Sequence, residues 1–223
     1  MYSKKLKTGL PVEIQHDIFV CLSGIGYESA LIAAKKLVAL KVDALISWGV
    51  AGAINKSVNS GDIILANSII NQDNRYPISE DWLSRVSEHL RQSSDRVLSG
   101  DITSSSEICA STTDKLHLLQ KTGALAVDME SAAIAETATA NKLDFLVLRA
   151  ISDNADTSIP EVVLKHTDNL GQPRIFKFVL CCILKPNQIR KISSLATGYK
   201  KGLTSLSRTA HDLKNQHFLY SDR

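Results

Sequence analysis

The stretch Ala126-Val127-Asp128-Met129-Glu130-Ser131 indicates how this chain is built. Apolar residues lead directly into two carboxylates, and an alanine-rich helix from about Glu130 to Ala140 follows. A strand that runs into a helix in this way is typical of an α/β domain. A carboxylate at the carboxyl end of such a strand faces the usual ligand crevice of the sheet. Capping of the helix is the alternative, because acidic residues suit a helix N-terminus.

A second strand is predicted to end in the same manner. The segment from Leu148 to Asp156 begins apolar and continues as Ser152-Asp153-Asn154. An Asx-type turn without a catalytic role is the alternative here. Two such strand ends in one chain favour a site with two carboxylates. Cleavage of a glycosidic bond uses such a pair, because one group protonates the leaving group while another stabilises an oxocarbenium-like sugar.

Apolar runs alternate with helical periods along the rest of the chain. Repeated strand–helix–strand units predict one three-layer α/β domain over residues 1–223, in which helices flank a central, mostly parallel mixed sheet. The region after Pro160 is predicted to be helical and ends in a basic segment over about 185–223. The predicted strands are Ile18–Leu22, Val42–Trp48, Gly61–Ile70, Ala124–Val127 and Phe145–Ile151, and the further helices are Ala30–Val38, Ser79–Gln92 and Thr112–Lys121.

Composition excludes several classes of protein. The 223 residues suffice for one sizeable domain, and no apolar segment reaches the length of a membrane span. The cysteines form no CxxC pair, so we expect reduced thiols in a cytoplasmic protein. No HExxH spacing occurs, so no metal site is predicted.

The C-terminal part of the chain is basic. From Lys185 to the end there are eight basic residues against two acidic ones, a balance of 8 − 2 = +6. A solvated helix face explains this most simply, and contact with anionic lipid headgroups at the inner membrane face is the alternative. Nucleic acid is not an expected partner, because no aromatic residues interleave the charge. The apolar segment Arg174–Leu184 predicts a buried or dimer-interface helix, or else the flank of a pocket for a lipid tail.

Five segments, taken in order, resemble the nucleoside phosphorylase-I superfamily. Within it, Asn74-Arg75-Tyr76-Pro77 and Lys115-Leu116-His117 are most similar to the hopanoid-associated phosphorylases, and the methylthioadenosine/S-adenosylhomocysteine nucleosidases are the next nearest group. The five segments are Ser23-Gly24-Ile25-Gly26, Trp48-Gly49-Val50-Ala51-Gly52-Ala53-Ile54, Gly61-Asp62-Ile63-Ile64, Val127-Asp128-Met129-Glu130-Ser131-Ala132-Ala133 and Arg149-Ala150-Ile151-Ser152-Asp153.

The resemblance implies cleavage of the N-glycosidic bond of an adenosine-type nucleoside, small or linked to a lipid such as an adenosyl-hopanoid precursor, by a homodimer or homotrimer. It implies no metal or organic cofactor, with phosphate as a co-substrate if the reaction is phosphorolytic. Asp153 would protonate the purine at N7, Glu130 would bind the ribose hydroxyls, and Glu13 would activate water. The implied substrate-binding residues are Met129, Asp128, Ser23, Gly24, Gly26, Gly49, Val50, Ala51, Gly52, Ile102 and Thr103.

Three departures from the family pattern bear on these roles. The opening strand, normally apolar, is Ser3-Lys4-Lys5-Leu6-Lys7, so an ordinary surface position is the alternative for Glu13. Ser47 and Val50 stand where bacterial purine phosphorylases carry Arg and Ser, which favours water over phosphate as the nucleophile. The nucleosidases carry a base-stacking Phe just after a Ser-Gly-Asp. In this chain Ser99-Gly100-Asp101 is followed by Ile102 and Thr103. A methylthioadenosine-type nucleosidase and a catalytically inactive nucleoside-binding protein therefore remain as alternatives.

Overall fold

The centre of the protein is a mixed six-stranded sheet. The computed structural model describes residues 6–91, 95–160 and 189–214. The strands are β1 (Val12–Gln15), β2 (Ile18–Val20), β3 (Ala44–Ala53), β4 (Ile63–Asn71), β5 (Asn74–Pro77), β6 (Val97–Ser104), β7 (Ala126–Asp128) and β8 (Asp144–Asp153). The helices are α1 (Tyr27–Val38), α2 (Glu80–Leu90), α3 (Thr112–Thr122), α4 (Ser131–Asn141) and α5 (Ile189–Lys214).

The sheet order is β5-β4-β6-β7-β3-β8, and β4 also pairs with β8. The pairs β3–β8, β4–β6 and β6–β7 are parallel, whereas β3–β7, β4–β5 and β4–β8 are antiparallel. The second pairing of β4 closes β4, β6, β7, β3 and β8 into a ring. The predicted mixed sheet flanked by helices is confirmed, while the ring is a feature that no local pattern indicated. β1 and β2 form a separate antiparallel hairpin.

β8 has partners on both edges, β3 and β4, and it is one of the two longest strands of the ring. Its residues 145–151 are all buried, as expected for a nearly continuous apolar run covered on both faces. Arg149 is the exception in composition, and its guanidinium is buried with the apolar residues. A charged group is tolerated in an apolar interior only when it is paired with an opposite charge or hydrogen-bonded.

Small residues allow close packing in two places, between α1 and α4 and between α5 and the sheet. α1 and α4 pack against each other through buried alanines, among them Ala34 and Ala135. α5 lies along β8, where a side chain at Gly198 would come within 2.3 Å of the Ser152 carbonyl oxygen. Gly202 likewise faces the Ile151 carbonyl oxygen at 3.0 Å. The backbone of α5 therefore packs directly against the carboxyl end of β8.

The predicted elements differ from the observed ones mainly at their ends. β3 continues through Gly49–Gly52 to Ala53, where the sequence predicted a strand that stops at Trp48. β5 and β6 were not predicted. Leu6 and Lys7 belong to no strand, and Ser3–Lys5 lie outside the described residues.

The predicted basic segment is helical over Ile189–Lys214. The apolar segment Arg174–Leu184 lies outside the described residues, so the predictions made for it stay predictions. In the described ranges, no helix combines the length and the apolar character that a bilayer crossing requires.

Candidate active site

The carboxyl ends of β3 and β8 form the floor of the candidate site. Their parallel register pairs Gly49 with Arg149 and Gly52 with Asp153. A β-carbon at Gly52 would stand 3.1 Å from Asp153 Oδ2, and one at Gly49 would stand 3.4 Å from an Arg149 Nη1 nitrogen. These glycines thus leave room on β3 for the two charged side chains of β8.

A buried ion pair joins the ends of β7 and β8. The Arg149 side chain donates from Nε to Asp128 Oδ2 at 2.7 Å, and from Nη2 to Ser47 Oγ at 2.7 Å and Ser131 Oγ at 3.0 Å. Asp128 also accepts from the hydroxyls of Ser104, at 3.1 Å, and Ser131. Arg149 is 2% exposed and Asp128 5%. The carboxylate predicted to bind substrate is thus fully engaged by protein donors.

Glu130 lies at the N-cap of α4, next to this ion pair. Its Oε1 accepts the backbone N–H of Gly26 at 2.7 Å. Burial raises the pKa of the Glu130 carboxyl, as does the negative charge of Asp128, while the Gly26 N–H, Arg149 and the Met129 N–H lower it. Glu130 and Met129 both remain partly exposed. Glu130 is therefore the more accessible of the two carboxylates of this segment.

The loop before α1 reaches the same place. Gly26 has φ 91° and ψ 164°, a conformation that is essentially restricted to glycine, and it caps α1. No atom lies within 4 Å of a β-carbon built there, so the backbone angle alone requires glycine. The predicted loop of Ser23, Gly24 and Gly26 therefore lies beside Glu130, with a backbone N–H already directed at a carboxylate.

Asp153 is buried at the end of β8 and bonded through both carboxylate oxygens. Oδ1 accepts the Ser152 hydroxyl at 2.7 Å, and Oδ2 accepts Lys115 Nζ at 2.5 Å. The Lys115 ammonium also donates to the carbonyl oxygens of Asn154, at 2.7 Å, and Thr157, at 3.0 Å. The acid predicted from sequence thus carries a cationic partner that the sequence reasoning did not assign to it.

Other predicted site residues lie in different surroundings. Ile102 and Thr103 are buried within β6, 0% and 3% exposed, and Thr103 Oγ1 donates to a backbone carbonyl. Glu13 is exposed on the β1–β2 hairpin, where it accepts the Asp17 N–H at 3.4 Å. Val50 is partly exposed and Ala51 is buried, and the Ala51 carbonyl oxygen accepts the Ser152 hydroxyl at 3.1 Å. The binding and catalytic roles of these residues stay predictions.

Sequence reasoning missed the partners of the carboxylates. Arg149 and Lys115 lie within the family-like segments, but the resemblance implies no role for either. A signal was available for Arg149, because a charge inside an apolar strand must be paired. For Lys115 none was available, since it lies on a helix with several other polar residues.

Two open grooves of about 500 and 480 Å³ run along α5. They are lined by polar residues such as Ser60, Thr197 and Lys201, and neither is lined by Glu130 or Asp153. The chemistry of the carboxylates, rather than cavity size, therefore identifies the candidate site. Among the described residues, no group of three or more His, Cys, Asp or Glu side chains could hold a metal ion.

The fold and these residues agree with the comparison to known families. The chain belongs to the phosphorylase superfamily, whose sequence model matches residues 12–174. This confirms the superfamily predicted from the five segments, while the similarity to hopanoid-associated enzymes stays a prediction.

Individual members of the superfamily are similar to this chain in sequence or in fold. The chain is 28% identical over 159 residues to the 5′-methylthioadenosine/S-adenosylhomocysteine nucleosidase of Staphylococcus aureus strain JH9, covering 63% of this chain and 70% of the relative. It is similar in fold to futalosine hydrolase of Helicobacter pylori strain 26695, with TM-score 0.63, 20% identity, and 88% and 80% of the two chains covered. It is also similar to the methylthioadenosine/S-adenosylhomocysteine nucleosidase of Colwellia psychrerythraea 34H in complex with adenine, with TM-score 0.60, 23% identity, and 73% and 75% covered.

Proposed function

We propose that this protein cleaves the N-glycosidic bond of an adenosine-type nucleoside and releases adenine. The observation that carries the proposal is the pair of carboxylates, Glu130 and Asp153, at the ends of two elements of one sheet. Each is held by fixed donors, as a site for developing charge requires. The names of the Staphylococcus aureus and Colwellia relatives, both adenosine-type nucleosidases, support the same reaction.

The two carboxylates take different roles. Asp153 protonates N7 of the purine as the bond between C1′ and N9 breaks, and the bonding electrons leave with the base. Glu130, partly exposed beside Met129, accepts hydrogen bonds from the ribose hydroxyls and stabilises the positive charge that develops on the sugar. Met129 packs against the ribose. Arg149 holds Asp128 in a buried ion pair near Glu130 and, by its positive charge, opposes the rise in the Glu130 pKa that burial and the Asp128 charge cause.

Water is the nucleophile that this arrangement favours. A phosphate site needs donors with positive charge, and a bidentate guanidinium serves best. The guanidinium at the end of β8, that of Arg149, is buried and committed to Asp128, Ser47 and Ser131. Glu13 is the proposed base that activates the water, and it must then approach from the exposed hairpin.

Two kinds of 5′ substituent on the nucleoside substrate are candidates. A small thio-substituent is favoured by the similarity to the methylthioadenosine/S-adenosylhomocysteine nucleosidases. A lipid-linked nucleoside, bound by a homo-oligomer that contacts the cytoplasmic membrane face through the basic segment, follows from the resemblance to hopanoid-associated enzymes. The exposed Lys200 and Lys201 of α5 are compatible with such a contact.

The test is adenine release from 5′-methylthioadenosine and from an adenosine derivative with a long apolar 5′ substituent. Each substrate is used with and without phosphate, on wild type, Asp153→Asn and Glu13→Gln. We expect phosphate-independent release, lowered at least about 100-fold by Asp153→Asn. A Glu13→Gln variant as active as wild type would remove Glu13 from the mechanism. Tight adenine binding by folded wild type without any turnover would replace the proposal with an inactive binding protein.

A further inference from the structure

Lys115 is the most unusual side chain near the proposed site. It is 1% exposed and is the only buried residue of α3. Its neighbour Leu116 is 52% exposed, and Leu118 and Leu119 of the same helix are only partly buried, so the ammonium is the most deeply buried group of this helix. Burying an ammonium costs free energy unless it is fully paired. The contacts of Lys115 must therefore offset the free-energy cost of burying its ammonium.

The contacts of Lys115 all belong to the end of β8 and the loop after it. Its three acceptors are Asp153 Oδ2 at 2.5 Å, the Asn154 carbonyl oxygen at 2.7 Å and the Thr157 carbonyl oxygen at 3.0 Å. An ammonium has three N–H donors, and each has one acceptor here. The side chain therefore has no freedom to turn away from Asp153.

The other oxygen of Asp153 faces a partner that can change its role. Ser152 Oγ lies 2.7 Å from Asp153 Oδ1 and 3.1 Å from the Ala51 carbonyl oxygen. A hydroxyl has one hydrogen, so it donates to one of these two acceptors at a time. When the hydrogen points to Ala51, the Ser152 oxygen can accept a hydrogen bond from a protonated Asp153 Oδ1. The site thus accommodates Asp153 both with and without its proton.

We propose that Lys115 is a positioning residue for Asp153, whose ammonium stabilises the carboxylate left behind when Asp153 passes its proton to the leaving base. The inference rests on the proposed function. In the reaction, the Asp153 proton moves to N7, the C1′–N9 bond breaks with its electrons on the base, and water adds to C1′ while losing a proton to the base proposed above, Glu13. Negative charge appears on the Asp153 carboxylate in this step and is shared by its two oxygens, and the Lys115 ammonium already donates to one of them, Oδ2.

The test compares Lys115→Met, Asp153→Asn and the double variant in adenine release. We expect Lys115→Met to lower kcat by about 100-fold with KM changed less than about threefold, because charge stabilisation acts in the transition state. The double variant should be no slower than Asp153→Asn, since Lys115 acts through Asp153. Lys121→Met is the matched control, because Lys121 is exposed on the same helix, and it should behave as wild type.

A purely structural role predicts different results. The losses of the two single variants would then multiply in the double variant, or KM would rise with kcat unchanged, and either result overturns the proposal. Lys115→Gln keeps N–H donors without the charge, so it should fold and still lose at least about tenfold in kcat. A Lys115→Gln variant with wild-type kcat, or one that fails to fold, would also overturn it. If folded wild type cleaves no nucleoside, the proposed function itself has failed, which these comparisons distinguish.

Discussion

Removing Arg149 should destabilise the protein strongly. Arg149→Met takes the guanidinium from Asp128 and leaves that carboxylate buried, together with two serine hydroxyls that lose their donor. Breaking a buried pair by removing one partner costs about 3–5 kcal/mol, because the remaining charge is uncompensated. That is a large share of the roughly 5–15 kcal/mol by which a native protein is stable.

The assay is urea unfolding followed by tryptophan fluorescence, for which the buried Trp82 supplies the signal. The double variant Arg149→Met with Asp128→Asn should recover about 1–2 kcal/mol of the loss, since the buried negative charge is gone. Arg75→Met is the control, because its pair with Asp101 is partly exposed and should contribute less than about 1 kcal/mol. A loss below about 1 kcal/mol for Arg149→Met, or no recovery in the double variant, would refute the reasoning.

Four further substitutions give predictions, three at residues of the site and one at the end of α3. Glu130→Gln keeps an acceptor for Gly26 but removes the charge, so it should lower kcat at least about 100-fold. Because the pKa of Glu130 is raised in the folded state, this carboxyl contributes stability below its unfolded pKa that is lost as pH rises through the folded pKa. Urea unfolding at several pH values should therefore show Glu130→Gln gaining stability relative to wild type across that interval, and a constant difference would contradict this sign. Gly26→Ala should lose about 1–3 kcal/mol in thermal or urea unfolding, together with activity, through backbone strain. Gly123→Ala, at a left-handed helix end, should lose stability while keeping activity. Gly52→Ala should push the Asp153 carboxylate aside and lower kcat about tenfold or more while the protein stays folded, and unchanged kinetics would show that Asp153 need not hold this position.

Local patterns predicted the strongest elements well. β8 follows from an apolar run that needs no partner to be recognised, and α3 ends at Gly123 in the left-handed conformation that the sequence suggested. β6 was missed because its residues include Ser99, Gly100 and Asp101, which weaken a strand pattern. Gly100 has a tertiary reason, since a β-carbon there would stand 2.4 Å from a Leu125 side-chain atom.

The inward face of α3 could not be predicted either. The apolar residues of this helix are Leu116, Leu118 and Leu119. In the structure Leu118 and Leu119 pack, partly buried, against a small core cluster, and Lys115 is buried more deeply than either because acceptors at the end of β8 satisfy its ammonium. A sequence pattern shows that a residue is charged, but it does not show whether the folded interior contains hydrogen-bond acceptors for that charge.

The sequence by itself determined the family, the mixed α/β sheet and the two strand ends at which Glu130 and Asp153 stand. These are local properties, because apolar runs and the residues that follow them lie together in the chain. Only the tertiary structure decided which cation faces which carboxylate. Arg149 meets Asp128 across 21 residues and Lys115 meets Asp153 across 38, and both contacts depend on strand order and helix docking. Those are set by the packing of the whole domain, since burial of each charge is tolerated only where the complete fold supplies its partner.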